Sequence, residues 1–466
     1  MTVNHAREAT AEPVSSAKAG KRDFTSLRVN GDRLMDSIHS TCEFGKAHRY
    51  GEHHTETGMA RLALNDDDKR VRRWLIEQAE AVGCTVTVDQ MGNIFTVRPG
   101  KTTKPPVMMG SHLDTQPTGG RYDGILGVMA GLEVLRTLHE SGYETEGPVG
   151  IVDWTNEEGA RFPMVTVSSG VWAGSIPLET AWNCPEVNPG SGNTPPRTLV
   201  EELERIGFLG GVPASYEAQP IGAHFELHIE QGPILEDERR KIGVVTGAQA
   251  YSWFEVEVKG RDSHAGTTPL SARKDALLAG ARMVAASNAI AKDLSGLITT
   301  GIFRAEPGSV NTMAHTVHFT LDIRHPSNEK LAEMVARCRE TFDRIAKEDC
   351  ERGVEVKWTT LTENTAVEFD KDCIAAVEQS AEEICGQLPG ATQDYKLWRH
   401  MHSGAGHDSC NVSKRSPTAM IFTPTRNGMS HTPDEYCSPE DCIIGAQVLL
   451  GAILRYDAAQ ARSGTT

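Results

Sequence analysis

Apolar runs alternate with helical apolar patterns through the first half of the chain. Val107–Gly110 is an apolar run ended by glycine and followed by a polar segment, which predicts a buried strand that leads into a loop. Beyond Asp123-Gly124, apolar residues recur every three or four positions, so a helix is expected to begin there. Val149–Trp154 predicts a second buried strand. This alternation is typical of an α/β/α domain with a central mixed sheet.

The pattern changes near Gly247 and indicates a smaller α+β unit inserted into the larger one. Its predicted order is βαββαβ, with helices at Ala276–Ala291 and Leu331–Ile345 and strands at Trp253–Val258, Leu297–Phe303, Thr316–Ile323 and Val354–Thr360.

The chain has 466 residues, which exceeds what one hydrophobic core usually serves, so two domains are expected. The larger domain is predicted from residues 26–246 and 363–466, and the smaller from residues 247–362. Residues 1–25 are polar and lack the apolar stretch of a secretory signal, so they are predicted to be a disordered tail.

Charge and cysteine content narrow the classes of partner. The sequence has 47 basic and 63 acidic residues, a net charge of −16, which disfavours nucleic acid and anionic membranes and favours a small-molecule partner. Its apolar runs are shorter than the roughly 20 residues that cross a bilayer, so no membrane span is expected. Ten scattered cysteines without a CxxC pair predict reduced thiols and a cytoplasmic location.

Histidines and carboxylates follow both predicted strands of the first domain. His112 and Asp114 come after the first strand, with Asp123 further along the same loop, and Glu157-Glu158 come after the second. Open α/β sheets bind ligands outside the carboxyl ends of their strands, and zinc prefers imidazole and carboxylate ligands. Taken singly, a surface histidine or a solvated acidic turn would look the same.

Two further segments add imidazoles. In Phe225–Pro233 the alternation places Glu226, His228 and Glu230 on one face of a strand, and Gly428–Pro433 is a loop that carries His431. Three histidines and two carboxylates from four segments suit a dinuclear metal site in which one carboxylate bridges the ions.

These segments, together with His264–Pro269 and Ser403–Ser409, resemble the hydantoinase/carbamoylase amidases. The resemblance runs from about Arg33 to Tyr456, and the string His228-Ile229-Glu230-Gln231-Gly232-Pro233 is highly specific for this group. Within the family, the stretches 122–138 and 224–247 are most similar to the fungal-type β-ureidopropionases, with the N-carbamoyl-L-amino-acid hydrolases next.

The resemblance implies two divalent metal ions, zinc first, with manganese, cobalt or nickel as alternatives. One ion would be bound by His112, Asp123 and His228, and the other by Asp123, Glu158 and His431. Glu157 would be the general base, and the carboxylate of Asp114 would fix the tautomer of His112.

The resemblance also implies that the smaller domain serves for dimerisation and as a lid. His264 would stabilise the oxyanion from across the interface of a homodimer, and Asn311 and Arg324 would bind the substrate carboxylate from the neighbouring subunit. The pocket would be completed by Gln231, Gly404, Ala405 and His407.

The implied reaction is hydrolysis of an N-carbamoyl amino acid to the amino acid, carbon dioxide and ammonia. N-carbamoyl-β-alanine is the first candidate and N-carbamoyl-L-α-amino acids are next. Pro163–Ser169 replaces a more polar, cysteine-containing segment of the fungal-type members, which leaves the substrate open. The alternatives are an allantoate amidohydrolase, an aminoacylase or dipeptidase, and an inactive binding protein that keeps the fold.

Overall fold

The computed structural model describes residues 24–187 and 195–463. Most of the predicted tail, residues 1–23, lies outside the described residues. The tail's last two positions belong to a short 3-10 helix, Phe24–Ser26, and Phe24 packs against the main core.

The strands of the described chain are β1 Lys46–Arg49, β2 Thr57–Met59, β3 Thr85–Val88, β4 Ile94–Arg98, β5 Val107–His112, β6 Val149–Trp154, β7 Ala223–Ile229, β8 Ile242–Ala248, β9 Ala250–Lys259, β10 Leu297–Thr299, β11 Phe303–Glu306, β12 Thr316–His325, β13 Glu355–Asn364, β14 Val367–Glu368, β15 Trp398–Ser403 and β16 Thr418–Thr423.

The α-helices of the same residues are α1 Gly31–Thr41, α2 Asp66–Ala81, α3 Ile125–Ser141, α4 Val167–Trp172, α5 Leu178–Trp182, α6 Leu199–Ile206, α7 Ile234–Asp237, α8 Ala276–Leu294, α9 Asn328–Glu348, α10 Lys371–Cys385, α11 Asp408–Val412 and α12 Pro439–Ser463. Short 3-10 helices lie at Leu270–Ala272 and Arg426–Gly428.

A large mixed sheet has the strand order β14-β8-β16-β7-β5-β6-β4-β3, with β15 paired to β8. Its four central strands, β16, β7, β5 and β6, are parallel to their neighbours in this group. Strand β5 sends Val107 and Met109 into a core cluster with α3 and α12, and Met108 into a second cluster with Trp154 and Trp172 of α4. Apolar packing on both faces confirms the predicted α/β/α arrangement.

Helix α12 has the length and composition of a membrane span over Pro439–Arg462. No such segment was expected from the sequence. In the fold 67% of the apolar window is buried, and the helix packs on α10, α3 and the large sheet. This burial is typical of the core helix of a globular domain.

A second sheet is entirely antiparallel, with the order β10-β12-β9-β13 and β11 also paired to β12. Alternate residues of β9 and β12 turn one face toward α8 and α9, where they form a separate hydrophobic cluster. The opposite face of these strands carries Tyr251, Trp253, Asp322 and Arg324. The domain limits 247–362 remain a prediction.

One predicted strand of this second sheet is wrong in its extent. The strand expected at Leu297–Phe303 is divided into β10 and β11 along the same edge of β12. The backbone N–H of Ile302 bonds the Thr320 side chain at 3.1 Å instead of a strand carbonyl, and so the ladder is interrupted next to Gly301.

Candidate metal centre

The predicted metal-binding residues converge at one edge of the large sheet. His112 is the last residue of β5, Glu157 and Glu158 follow β6, His228 lies at the end of β7, and His431 follows β16. Because these four strands are parallel, their carboxyl ends meet at the same edge, where open α/β sheets bind ligands.

Two groups of donor atoms at this edge share Asp123 and have their atoms within 4.8 Å of one another. In the first group, Asp123 Oδ1 lies 3.0 Å from His228 Nε2 and 3.6 Å from His112 Nε2. In the second, His431 Nε2 lies 3.4 Å from Asp123 Oδ2 and 3.4 Å from Glu158 Oε2. The two groups are the ligand sets that the family resemblance implies.

The histidine tautomers fit metal binding. His112 Nδ1 donates to the carbonyl oxygen of Asp114 at 2.9 Å, and His228 Nδ1 donates to the carbonyl oxygen of Ile229 at 2.9 Å. Since a carbonyl oxygen only accepts, both Nε2 atoms keep a lone pair, directed toward Asp123. Imidazole nitrogens and carboxylate oxygens in these numbers suit two borderline divalent cations.

Asp114 acts differently from the sequence expectation. Its carbonyl, not its carboxylate, fixes the tautomer of His112. The carboxylate accepts the backbone N–H groups of Glu157 at 3.2 Å and Glu158 at 3.3 Å. Asp114 therefore positions the loop that carries the predicted base and one predicted ligand.

The buried acids have shifted pKa values with different causes. Burial works against the charge of Asp123, but the neighbouring imidazoles of His112, His228 and His431 hold its pKa well below the usual range. For Glu157, burial raises the pKa well above the usual range, although the imidazole of His112 opposes this. Burial, reinforced by Asp123, raises the pKa of Glu158 to about 7. Asp123 is therefore the carboxylate best suited to bridge two cations.

Gly124 allows the first group to assemble. Its φ of +68° disfavours residues with a side chain, and a Cβ there would lie 2.4 Å from the His112 ring. Its backbone N–H points to His228 Nε2 at 3.3 Å. The chain thus passes between the two histidines, immediately before α3, only because this residue lacks a side chain.

A cavity of about 220 Å³ opens onto both groups of donor atoms. Besides the predicted ligands Asp123, Glu158, His228 and His431, the predicted residues Glu157, Gln231, Ala405 and His407 line it. Gln231 donates to Asp123 Oδ2 at 2.8 Å. Burial next to His228 lowers the pKa of His407 to about 3, so its ring is neutral. Gly404 does not line the cavity, but its carbonyl accepts hydrogen bonds from Arg324 and Gln249.

Arg324 also lines this cavity, so the expectation that it comes from a neighbouring subunit is wrong. It reaches the cavity from the second sheet of the same chain. Nε and Nη2 donate to Asp322 at 2.9 and 2.7 Å, and Nη1 donates to the Gly404 carbonyl at 2.8 Å. These bonds occupy three of the five N–H groups of a guanidinium, which leaves two for a ligand.

His264 and Asn311 lie elsewhere. They are exposed on two neighbouring loops, where Ala265 N donates to the Asn311 carbonyl at 2.9 Å, and neither residue lines the cavity. His264 Nδ1 accepts the backbone N–H of Gly266 at 3.0 Å. Their predicted contribution to the site of a second subunit remains a prediction.

Several residues of the site were not predicted from the sequence. Tyr251 and Trp253 of β9, Gln116 and Val165 line the cavity, and Gln116 donates to Glu158 at 2.7 Å. Glu435 accepts the backbone N–H groups of Tyr122 and Asp123 at 3.1 Å each and the Ser430 hydroxyl at 2.8 Å. The alternation in β9 could have placed Tyr251 and Trp253 together, whereas no sequence signal pointed to Glu435.

Comparisons with known proteins agree with this geometry. Residues 108–455 match the peptidase family M20/M25/M40. The N-carbamoyl-L-amino-acid amidohydrolase of Rhizobium meliloti is 39% identical, over 92% of this chain and 96% of that protein. Ureidoglycolate hydrolase of Oryza sativa subsp. japonica is 32% identical, over 85% and 80% respectively.

The crystal structure of a hydantoinase/carbamoylase family amidase from Burkholderia multivorans superposes with a TM-score of 0.82. It has 43% sequence identity, and the match covers 92% of this chain and 98% of that one. Enzymes of the matched family typically depend on two metal ions, in line with the two donor groups around Asp123. The protein is a hydrolase of amide C–N bonds that belongs to the M20/M25/M40 peptidase family and, within it, to the hydantoinase/carbamoylase amidases.

Proposed function

We propose that this enzyme hydrolyses N-carbamoyl-L-α-amino acids to the amino acid, carbon dioxide and ammonia. The observation that carries the proposal is the composition of the cavity. The cavity opens onto the two donor groups around Asp123 and is lined by the carboxylate of Glu157 and by a guanidinium with two free N–H groups. A substrate with a carbamoyl group at one end and a carboxylate at the other matches these two kinds of group.

Two divalent cations, zinc in the first place, would be held by His112, Asp123 and His228 and by Asp123, Glu158 and His431. Bound there, they supply polarisation of the carbamoyl carbonyl and acidification of water. Glu157 takes the proton from the attacking water and delivers it to the departing nitrogen. Asp114 keeps Glu157 in place through the backbone N–H of that residue.

Arg324 orients the substrate through its carboxylate. The bidentate contact with Asp322 fixes the plane of the guanidinium, and the two remaining N–H groups form the fork that a carboxylate accepts. The Tyr251 ring lies 5.3 Å from the guanidinium carbon and supports it from one side.

The apolar part of the cavity favours α-amino acids with a side chain. Val165, Tyr251 and Trp253 line the cavity beside the polar groups, and Tyr251 and Trp253 are in ring contact at 5.6 Å. N-carbamoyl-β-alanine has no side chain to bury there. The names of several relatives, including the one from Rhizobium meliloti, also support N-carbamoyl-L-amino acids ahead of N-carbamoyl-β-alanine.

We further propose that the enzyme acts as a cytoplasmic homodimer. All ten cysteines are unpaired in the structure, which suits a reducing compartment. His264 and Asn311 lie on exposed loops and do not line the cavity of their own chain, as expected of residues that complete the site of a second subunit.

A ureidoglycolate-type substrate is the second candidate, because a relative with 32% identity is named ureidoglycolate hydrolase. Such a substrate has the same ureido and carboxylate groups, but it has no apolar side chain to bury against the apolar wall formed by Val165, Tyr251 and Trp253. Allantoate shares these groups as well, and N-acyl amino acids lack only the terminal nitrogen.

The test is release of ammonia or of free amino acid by metal-loaded enzyme. The substrates are N-carbamoyl-L-phenylalanine, N-carbamoyl-L-alanine, N-carbamoyl-β-alanine, ureidoglycolate, allantoate and N-acetyl-L-phenylalanine. The proposal predicts that the two N-carbamoyl-L-amino acids have the highest kcat/KM. A higher kcat/KM for any other member would reassign the substrate, and inactivity across the panel would indicate a binding protein.

Glu157→Gln serves as the matched variant in this assay. It removes the base while keeping the size and most contacts of the side chain, so kcat should fall by roughly 10²- to 10⁴-fold. Metal content, measured by elemental analysis, should stay at the wild-type level. A variant with wild-type kcat would assign the base to another residue.

A further inference from the structure

A second cavity, of about 290 Å³, is separate from the cavity at the metal centre. One wall is formed by α7 and the residues that lead into β8, and the other by the segment from Pro424 to Asp441. None of the residues that line it also lines the metal-centre cavity. Its apolar surface comes from Leu235, Pro424 and Tyr436, and its basic groups are Arg239, Arg240, Lys241 and Arg426.

Two of these four cations have a carboxylate partner. Lys241 donates to Asp441 at 2.8 Å and to Glu440 at 3.0 Å. Arg240 Nε donates to Glu238 at 2.8 Å. These pairs neutralise their side of the cavity.

Arg239 and Arg426 form no ion pair with any described residue. Arg426 donates to the carbonyl oxygen of Asp434 at 3.0 Å and lies over the Tyr436 ring. Of the acidic lining residues, Asp441 pairs with Lys241 and accepts from Ser438, and Glu236 accepts the backbone N–H of Asn427 and pairs with neither arginine. In a chain of net charge −16, two guanidinium groups that form no ion pair with a described residue therefore face one cavity.

Both walls of this cavity continue into the metal centre. Helix α7 begins three residues after Gln231, which donates to Asp123, and the backbone N–H of Gln231 bonds Thr425 Oγ1 at 3.1 Å. Arg426 lies five residues before His431. The Tyr436 ring packs edge-to-face on Tyr122, next to Asp123, at 5.8 Å.

We propose that this second cavity is a regulatory site for a small organic dianion. Guanidinium groups prefer carboxylate and phosphate oxygens, so the ligand class comprises dicarboxylates and phosphate monoesters. A dianion between Arg239 and Arg426 fixes α7 against the segment 424–431, and this segment carries His431. Occupancy therefore slows the release of metal from the centre. The binding part of the proposal is independent of the substrate assigned above.

The experiment is calorimetric titration of the metal-loaded enzyme with succinate and, separately, with inorganic phosphate, at constant ionic strength. Binding of either probe, weakened at least about tenfold in the double variant R239Q/R426Q, is the expected result. Succinate alone would identify dicarboxylates, and phosphate alone would identify phosphate monoesters. The double variant R344Q/R352Q, which removes two exposed arginines that do not line the cavity, should bind like wild type.

The single variant R239Q guards against a folding defect, because the Arg239 side chain is exposed and has no hydrogen-bond partner among the described residues. It should weaken binding and leave the unfolding midpoint unchanged. Loss of metal to a chelator should be slower with the bound probe in wild type and unaffected by it in R239Q/R426Q. Absence of binding, equal binding by wild type and R239Q/R426Q, or metal loss insensitive to the probe would overturn the proposal.

Discussion

At the scale of single residues, the candidate metal centre depends on one position without a side chain as well as on its donor atoms. Gly124 lies between the two histidines of the first donor group, and its positive φ and the nearby His112 ring both exclude a side chain. Asp123 and His112 are therefore positioned by a backbone conformation that only glycine adopts without strain.

Gly124→Ala tests this role. We expect the free energy of unfolding to fall by more than about 1–2 kcal/mol, because the added Cβ strains the backbone and also clashes with the His112 ring. The metal content should fall as well. Urea unfolding and elemental analysis measure the two effects.

Gly142→Ala is the matched control, because Gly142 also has positive φ but no atom within 4 Å of an added Cβ. It should lose only about 1–2 kcal/mol and keep its metal. Wild-type metal content in Gly124→Ala would show that His112 adjusts without loss of binding.

Arg324→Lys separates the fork of the guanidinium from its charge. A lysine cannot bond Asp322, Gly404 and a carboxylate together in one plane, so we expect KM to rise by on the order of tenfold or more, with a smaller change in kcat. Steady-state kinetics on an N-carbamoyl-L-amino acid measures this. Arg337→Lys, at an exposed pair with Asp293, should change neither constant, and an unchanged KM in Arg324→Lys would place the carboxylate elsewhere.

At the scale of elements, strands β9 and β12 each serve two functions. Their inward residues build the core under α8 and α9, while Tyr251 and Trp253 pair in register with Arg324 and Asp322 on the open face. The four side chains form a compact group because i and i+2 residues of paired strands are neighbours. The alternation of apolar residues in β9 and β12 therefore determines which side chains their open face presents to the metal centre.

Trp253→Ala tests the apolar wall. We expect kcat/KM for N-carbamoyl-L-phenylalanine to fall by about tenfold, since part of the burial of the substrate ring is lost, while N-carbamoylglycine changes by less than about twofold. Glu255→Ala is the control on the same strand and face, outside the cavity. Equal losses for both substrates would assign Trp253 a structural role instead.

Much of this arrangement could be predicted from the sequence, since the predicted ligands follow strands whose apolar runs are clear. The structural role of Glu230 could not be predicted. Alternation placed it beside Glu226 and His228, but β7 ends at Ile229, and the Glu230 carboxylate accepts the N–H groups of Ile234 and Leu235 at the start of α7. The position of Arg324 was also missed, because strand periodicity assigns a face but not the partner against which that face packs.

At the scale of the whole molecule, the quaternary prediction remains to be tested, and hybrid dimers provide a direct way. If His264 serves the neighbouring site, a mixture of inactive His264→Ala and Glu157→Gln subunits contains dimers with one intact site. After dissociation and reassociation in equal amounts, activity should recover to about a quarter of wild type. Each variant mixed with itself is the control. No recovery in reassociated dimers would show that each chain uses its own His264.

The Gly404 carbonyl has a consequence for the length of substrate that fits. It accepts hydrogen bonds from Arg324 of the second sheet and from Gln249, which connects the two sheets. The predicted metal ligands belong to the large sheet and the proposed carboxylate-binding Arg324 to the small one, so the contact at Gly404 would set the distance between the two ends of a bound substrate. An α-amino acid and a β-amino acid differ by one methylene between nitrogen and carboxylate. A substitution at Gln249 that tilts the small sheet would change the distance between Arg324 and the predicted metal ligands. The preferred length of the substrate would then change, although no group that contacts the substrate is altered.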